Sequence, residues 1–117
     1  MSISLWDRAT PVAGGYRDID PARVATASAG ILIVDVREPA ELTSNLGRIA
    51  SAENVPLANV QRAAAAWDLD REIVVVCRSG ARSSRAAATL AAMGFRHVMN
   101  MEGGMIAWNE AGLRVAC

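Results

Sequence analysis

The segment IVVVCRSGARS, residues 73–83, decides the fold because it joins a predicted buried strand to the start of a predicted helix. Its first four residues are apolar, β-branched and uninterrupted, which indicates a strand covered on both faces of a parallel sheet. The alanine-rich run over residues 85–93 predicts a helix capped by Ser83 or Ser84. The loop from Cys77 to Ser83 should then lie at the carboxyl edge of the sheet. Open α/β sheets bind ligands at that edge, and helix N–H groups there favour anions.

Strand and helix signals alternate on both sides of this segment. They predict a helix from Asp20–Pro21 to about residue 28, a strand over 31–36, a short helix over 39–44, a brief strand from Val55, a helix over 57–67, a strand over 98–101 and a helix over 105–110. The alternation indicates an α/β fold with a mainly parallel five-stranded sheet and helices on both faces. Residues 1–15, which contain Pro11, Gly14 and Gly15, are predicted to form a loosely held N-terminal arm, and residues 16–117 one domain.

Composition restricts the class of protein. A chain of 117 residues fits one domain, and its 12 basic and 12 acidic residues give a formal net charge of zero. Neither nucleic acid nor an anionic membrane is therefore expected as a partner. No apolar stretch approaches the roughly 20 residues of a membrane span, and the first 15 residues do not resemble a signal peptide. With only two cysteines, one of them the terminal Cys117, the sequence predicts free thiols and a cytoplasmic location.

Cys77 is the candidate nucleophile. A thiol at a helix N-terminus beside cationic groups can have its pKa lowered from about 8.5 to roughly 3.5–7.5, and Arg78 and Arg82 would supply that charge. Gly80 can adopt a positive φ that turns successive N–H groups towards the sulfur. The nucleophile then needs no general base, and no metal or cofactor is predicted. His97 precedes the last strand, so it should lie at the opposite edge from Cys77, which argues against a Cys/His hydrolase.

Five separate blocks give the chain a resemblance to a known family. They are DIDPARVA at 18–25, IVDVREPAE at 33–41, NVPL at 54–57, VVVCRSGARS at 74–83 and EGGMIAWNEAGLRV at 102–115. In this order and at these spacings, the sequence resembles a single-domain rhodanese, a sulfurtransferase that carries sulfur as a cysteine persulfide. The resemblance extends from about residue 16 to residue 115 and implies the rhodanese-like fold.

The resemblance also implies a function for particular residues. Cys77 would carry the sulfur, and Asp35, Arg37 and Ser83 would support the site. The substrate-binding loop would consist of Arg78, Ser79, Gly80, Ala81 and Arg82. The expected activity is that of a thiosulfate sulfurtransferase of class EC 2.8.1. The donor would be thiosulfate or a low-molecular-weight persulfide, and the acceptor cyanide, a small thiol or a protein thiol.

Two departures from the family pattern and two alternative functions bear on this interpretation. Residues 47–52 read GRIASA where members commonly have GHIPGA, which leaves the conformation of this turn open. Ser79 occupies a position where thiosulfate-using members often have lysine, which favours an organic persulfide as donor. A sulfur relay or binding module acting only on a protein partner is the main alternative. A phosphatase is disfavoured, because four residues separate Cys77 from Arg82 and the phosphatase loop has five.

Overall fold

The computed structural model describes residues 4–116, in which six strands form one mixed sheet. The strands are β1 (Thr10–Pro11), β2 (Arg17–Ile19), β3 (Leu32–Asp35), β4 (Glu53–Asn54), β5 (Glu72–Val76) and β6 (His97–Met101). The α-helices are α1 (Leu5–Arg8), α2 (Pro21–Val24), α3 (Val60–Ala64), α4 (Ala81–Ala92) and α5 (Gly104–Glu110). Two 3₁₀ helices span Pro39–Thr43 and Leu57–Asn59.

The strand order is β1-β2-β6-β5-β3-β4, and every neighbouring pair is parallel except β1 with β2. The predicted, mainly parallel α/β architecture is confirmed, but the described chain has six strands instead of five. The sequence reveals neither β1 nor β2, which have two and three residues and no apolar run. The brief strand predicted from Val55 corresponds to β4, which ends at Asn54. The central strand β5 pairs with β3 and β6, so that Val75 lies opposite both Val34 and Asn100.

Alternate residues of the central strands are buried on opposite faces of the sheet. One face contributes Leu32, Val34, Ile73 and Val75 to a core closed by α3 and α4. The other contributes Ile33, Val74, Val76 and Met99 to a core closed by α1, α2 and α5. Burial on both faces explains why residues 73–76 are continuously apolar.

The described part of the predicted N-terminal arm, residues 4–15, packs on the sheet instead of hanging loosely. Leu5 and Ala9 are buried in the second core. The Trp6 backbone N–H donates to Glu72 Oε1 at 2.8 Å, and the Arg17 guanidinium lies 4.0 Å from the centre of the Trp6 ring. Apolar burial and these polar contacts hold the segment, although its Pro and Gly residues favour a loop. The domain boundary after residue 15 stays a prediction, and Cys117 lies outside the described residues.

The strands bring the candidate loop to one edge of the sheet. Cys77 directly follows β5, and the flanking strands β3 and β6 end at the same edge. His97 starts β6 opposite Glu72, the first residue of β5, so it lies at the far edge as predicted. Within residues 4–116, no helix is long and apolar enough to cross a membrane. The cytoplasmic location and the expected lack of nucleic-acid or membrane partners stay predictions.

Candidate active site

The Cys77 loop turns into helix α4 earlier than the sequence predicts. The helix starts at Ala81, not near Arg85, and its N-cap is Gly80 with φ +101° instead of a serine. A glycine adopts this left-handed conformation without strain, so the chain enters the helix directly after the loop. Ser84 lies within the first turn and donates its hydroxyl to the Ala81 carbonyl. Ser83 is also helical, which leaves its side chain free to face the cysteine.

Hydrogen-bond donors surround the sulfur of Cys77, a residue that is only 1% exposed. The N–H of Gly80 donates to Sγ at 3.0 Å and that of Ser83 at 3.3 Å, and the Ser83 hydroxyl lies 3.3 Å from Sγ. Burial by itself raises the pKa of the Cys77 thiol. The Ser83 hydroxyl and the N–H groups of Ser83, Gly80 and Ser79 more than offset that effect and hold the pKa below its ordinary value. The loop therefore lowers the pKa of Cys77 mainly through backbone and hydroxyl donors, and the role of Cys77 as nucleophile stays a prediction.

Helix α5 keeps the carbonyl groups of the loop away from the sulfur. The Met105 N–H donates to the Cys77 carbonyl at 2.9 Å, and the Ile106 N–H donates to the Arg78 carbonyl at 3.1 Å. This close approach requires Gly104, because a Cβ at that position would lie 2.5 Å from the Arg78 carbonyl carbon. The start of α5 thus binds the carbonyl oxygens of Cys77 and Arg78, while the Gly80 and Ser83 N–H groups face the Cys77 sulfur.

The arginines of the loop are arranged differently from the expectation. Arg82 donates two hydrogen bonds to Glu41, from Nη1 at 2.8 Å and from Nη2 at 3.0 Å, and each side chain is about one-third exposed. Its guanidinium donors therefore bind a carboxylate and not the cysteine sulfur, although its charge remains near Cys77. Arg78 and Ser79 are exposed, and Ala81 begins α4. The predicted substrate-binding roles of these residues stay predictions.

Asp35 and Arg37 form a buried ion pair at the end of β3. The Arg37 Nη2 donates to Asp35 Oδ2 at 2.7 Å, and Arg37 is 1% and Asp35 2% exposed. The same Nη2 donates to the Gly47 carbonyl at 2.9 Å, and Arg48 forms a two-residue bridge with Ala116. The pair and the bridge therefore hold the turn over residues 47–52, although it lacks the family's usual sequence. The Arg37 Nη1 also donates to the Glu41 carbonyl at 3.3 Å, which ties the pair to the segment that carries Glu41, while any direct catalytic role stays a prediction.

The sequence analysis missed three residues that the structure brings to the site. Asn100 receives a hydrogen bond from the Ser83 hydroxyl, Glu41 pairs with Arg82, and Gly104 packs against the loop. Asn100 could have been identified from the sequence, because it is a polar residue within the apolar run of a strand that is buried on both faces. Nothing in the sequence indicates that Glu41 belongs to the site, because its partner lies 41 residues away. Within residues 4–116, no cluster of three His, Cys, Asp or Glu side chains could hold a metal ion.

Comparisons with known proteins find relatives of this chain in sequence and in fold. The profile of a family described as "Rhodanese-like domain" matches residues 20–111. A sulfurtransferase of Allochromatium vinosum is 40% identical over 85 residues, which cover 73% of this chain and 78% of that protein. The thiosulfate sulfurtransferase GlpE of Shewanella oneidensis is 37% identical over 86 residues, covering 74% and 83%. The crystal structure of a rhodanese-related protein from Thermoplasma volcanium superposes with a TM-score of 0.77 at 32% identity, covering 86% and 98%.

Proposed function

Because the chain belongs to the family of rhodanese-like domains, which includes sulfurtransferases, we propose that it transfers a sulfane sulfur through a persulfide on Cys77. The donor is thiosulfate or a low-molecular-weight persulfide, and the acceptor is cyanide or a thiol. The observation that carries this proposal is the buried Cys77 sulfur, which faces the Gly80 and Ser83 N–H groups and the Ser83 hydroxyl. These donors suit a sulfur that is negatively charged during part of the cycle.

In the first half-reaction, the Cys77 thiolate attacks the sulfane sulfur of the donor. A new S–S bond forms to Sγ, and the donor's own bond to that sulfur breaks, so that sulfite or an organic thiolate leaves with the electron pair. In this mechanism the nucleophile has no separate general base, because the donors of the loop lower the pKa of Cys77 and so raise its thiolate fraction. The outer persulfide sulfur then lies among the N–H groups of the loop, since the carbonyl groups of Cys77 and Arg78 bind α5 instead.

In the second half-reaction, the acceptor attacks the outer sulfur and the Cys77 thiolate leaves. Cyanide then becomes thiocyanate, and a thiolate becomes a persulfide. The Gly80 and Ser83 N–H groups, which favour the thiolate as nucleophile, also stabilise it as a leaving group. One loop therefore serves both half-reactions without a change of fold.

A groove along the start of α4, which Arg82 of the loop lines but Cys77 does not, favours an organic persulfide as donor. Its volume is about 600 Å³, and it is lined by apolar residues, including Leu57 and Val60, and by Arg82 and Arg85. Arg85 is exposed, so it is available to a carboxylate on a bound thiol. Glu38 also lines the groove and would repel an anion placed near it. The apolar lining and Arg85 suit a carboxylate-bearing persulfide better than the small dianion thiosulfate.

Intact-mass measurement tests the proposal. The protein is incubated with thiosulfate or glutathione persulfide, and a species heavier by one sulfur atom is expected, which cyanide then removes. Cys77→Ser should abolish this species, whereas Cys117→Ser should retain it, since the second thiol is not part of the loop. No added sulfur with either donor, or equal loading of the Cys77→Ser variant, would refute the proposed function.

A sulfur relay or binding module acting on a protein partner is the second candidate, because Cys77 is only 1% exposed and so has little direct contact with small acceptors. Such a relay would load sulfur but release it slowly to small acceptors. Steady-state turnover with cyanide or dithiothreitol separates the two candidates: sustained turnover supports the enzyme, and stoichiometric loading without turnover supports the relay.

A further inference from the structure

A chain of four polar side chains runs from the candidate nucleophile across the sheet. The Ser83 Oγ lies 3.3 Å from Cys77 Sγ and 2.5 Å from Asn100 Oδ1. The Asn100 Nδ2 in turn donates to Asp18 Oδ1 at 3.2 Å. Ser83 is fully buried and Asn100 is 6% exposed, so water is a poor substitute for these partners. The chain therefore joins α4, β6 and β2 to the sulfur.

The orientation of the Asn100 amide follows from its partner on β2. An ionised carboxylate accepts hydrogen bonds and donates none, so Asp18 binds the NH₂ group of Asn100 and not its oxygen. The amide oxygen of Asn100 must then face Ser83. Because that oxygen also has no proton, the hydrogen between the two oxygens at 2.5 Å has to come from the Ser83 hydroxyl.

A serine hydroxyl has a single proton, so it cannot donate fully to Asn100 and to Cys77 at the same time. When Cys77 is a neutral thiol or the inner sulfur of a persulfide, Ser83 donates its proton to Asn100, because the uncharged Sγ does not require a donor. When Cys77 is a thiolate, the sulfur attracts the same proton. Turning the hydroxyl towards Sγ leaves two acceptor oxygens in contact, which opposes the change.

We propose that Asn100, oriented by Asp18, is a positioning residue that competes with the Cys77 sulfur for the proton of the Ser83 hydroxyl. Asn100 thereby favours the states in which the Cys77 sulfur is neutral, including the persulfide, and makes the thiolate a poorer leaving group. The second statement rests on the proposed function, whereas the competition itself concerns the thiol alone. These four polar side chains thus help to retain the transferred sulfur on Cys77 until an acceptor attacks the outer sulfur atom.

The other charged groups around Cys77 do not account for such an effect. On the elements beside the loop, Arg82 is paired with Glu41 and Arg37 with Asp35. Arg78 follows Cys77 directly, and Arg85 lies on α4; both are exposed. None of these side chains hydrogen-bonds Asn100 within the described residues, so a substitution of Asn100 leaves their arrangement unchanged.

The proposal is tested by measuring how the rate of iodoacetamide alkylation of Cys77 depends on pH. All variants carry Cys117→Ser, so that Cys77 is the only thiol alkylated. Asn100→Ala frees the Ser83 proton and should lower the apparent pKa of Cys77 by about 0.5–1 pH unit, so alkylation at acidic pH becomes roughly three- to tenfold faster. Asp18→Asn should act in the same direction, because the Asn100 amide can then rotate and donate to Ser83. This isosteric change makes no cavity and keeps the test available if Asn100→Ala does not fold.

Ser83→Ala provides the decisive control. In the Ser83→Ala background, the Asn100→Ala substitution should leave the pH profile of Cys77 alkylation unchanged. Without the Ser83 hydroxyl there is no proton for which Asn100 and the Cys77 sulfur can compete. A purely structural role for Asn100 would lower the melting temperature but leave the pH profile in place. An unchanged or raised pKa in Asn100→Ala and Asp18→Asn, or an equal shift without Ser83, would overturn the proposal. Failure of sulfur loading would instead refute the proposed function, since alkylation needs no sulfur donor.

Discussion

Replacing Gly104 with alanine would place a methyl group against the loop that holds Cys77. The new Cβ would lie 2.5 Å from the carbonyl carbon and oxygen of Arg78 and closer still to the Cys77 carbonyl oxygen. These are backbone atoms, and the two carbonyl groups accept hydrogen bonds from the first turn of α5. Neither partner can yield without moving the loop or the helix, so the contact cannot be relieved by a side-chain rotation.

Two costs add in the Gly104→Ala variant. Gly104 has φ +58°, and an alanine in this left-handed conformation costs about 1–2 kcal/mol. The overlap with the backbone adds roughly 1–3 kcal/mol, as other overpacked sites do. The free energy of unfolding should therefore fall by about 2–5 kcal/mol, a large part of the roughly 5–15 kcal/mol typical of a domain.

Gly112→Ala is the matched control, because Gly112 has φ +72° and a Cβ at this position would meet no atom within 4 Å. It bears only the conformational cost. Urea denaturation followed by tryptophan fluorescence measures both variants, and the buried Trp108 on α5 reports the packing of that helix. Gly104→Ala should be less stable than Gly112→Ala by about 1–3 kcal/mol and should alkylate at Cys77 with a changed pH profile. Equal losses of stability and an unchanged profile would refute the reasoning.

Three further outcomes follow from the charges of the site. Asp35→Asn leaves the buried Arg37 charge without its carboxylate and should lower the free energy of unfolding by about 3–5 kcal/mol in urea denaturation; a loss below about 1 kcal/mol would contradict this. The Arg82 guanidinium lowers the pKa of Glu41, so their pair stabilises the fold above the ordinary carboxyl pKa of about 4.3 and loses its effect as pH falls through the lowered value. Because the pair is partly exposed, the native protein should be more stable than Glu41→Gln by under about 1 kcal/mol. In thermal melts, this stability difference should disappear under strongly acidic conditions. A stability difference that stays constant down to about pH 2 would contradict the role of the pair. The alkylation rate of Cys77 should reach half its maximum below the ordinary thiol pKa of 9.0, and a midpoint above that value would contradict the hydrogen-bond geometry.

Local signals in the sequence predict much of the fold. The Asp20 cap is observed, since its carboxylate accepts the Arg23 N–H at 3.2 Å, and Gly80 has the predicted positive φ. These features depend on a few neighbouring residues and on the conformations that each residue type permits. The apolar run over 73–76 likewise predicts a strand buried on both faces, and the alternation of elements predicts the edge at which Cys77 lies.

The helix start shows where local reasoning fails. Serine is a good cap, so Ser83 and Ser84 are reasonable candidates, but the positive φ of Gly80 lets α4 begin at Ala81. Ser83 then becomes a helical residue and binds Cys77 and Asn100. A cap preference describes a helix end in isolation and contains no information about which distant group the side chain will meet.

The sequence by itself determined that a cysteine follows a buried strand, that a glycine-containing loop leads from it into a helix, and that the only histidine lies at the other edge of the sheet. Only the tertiary structure decided which atoms surround the sulfur. Asn100 reaches Ser83 across 17 residues, and α5 binds the carbonyl groups of a loop that precedes both α4 and β6 in the chain. Such contacts depend on how strands are ordered and how closely helices approach, and local sequence preferences do not specify these distances.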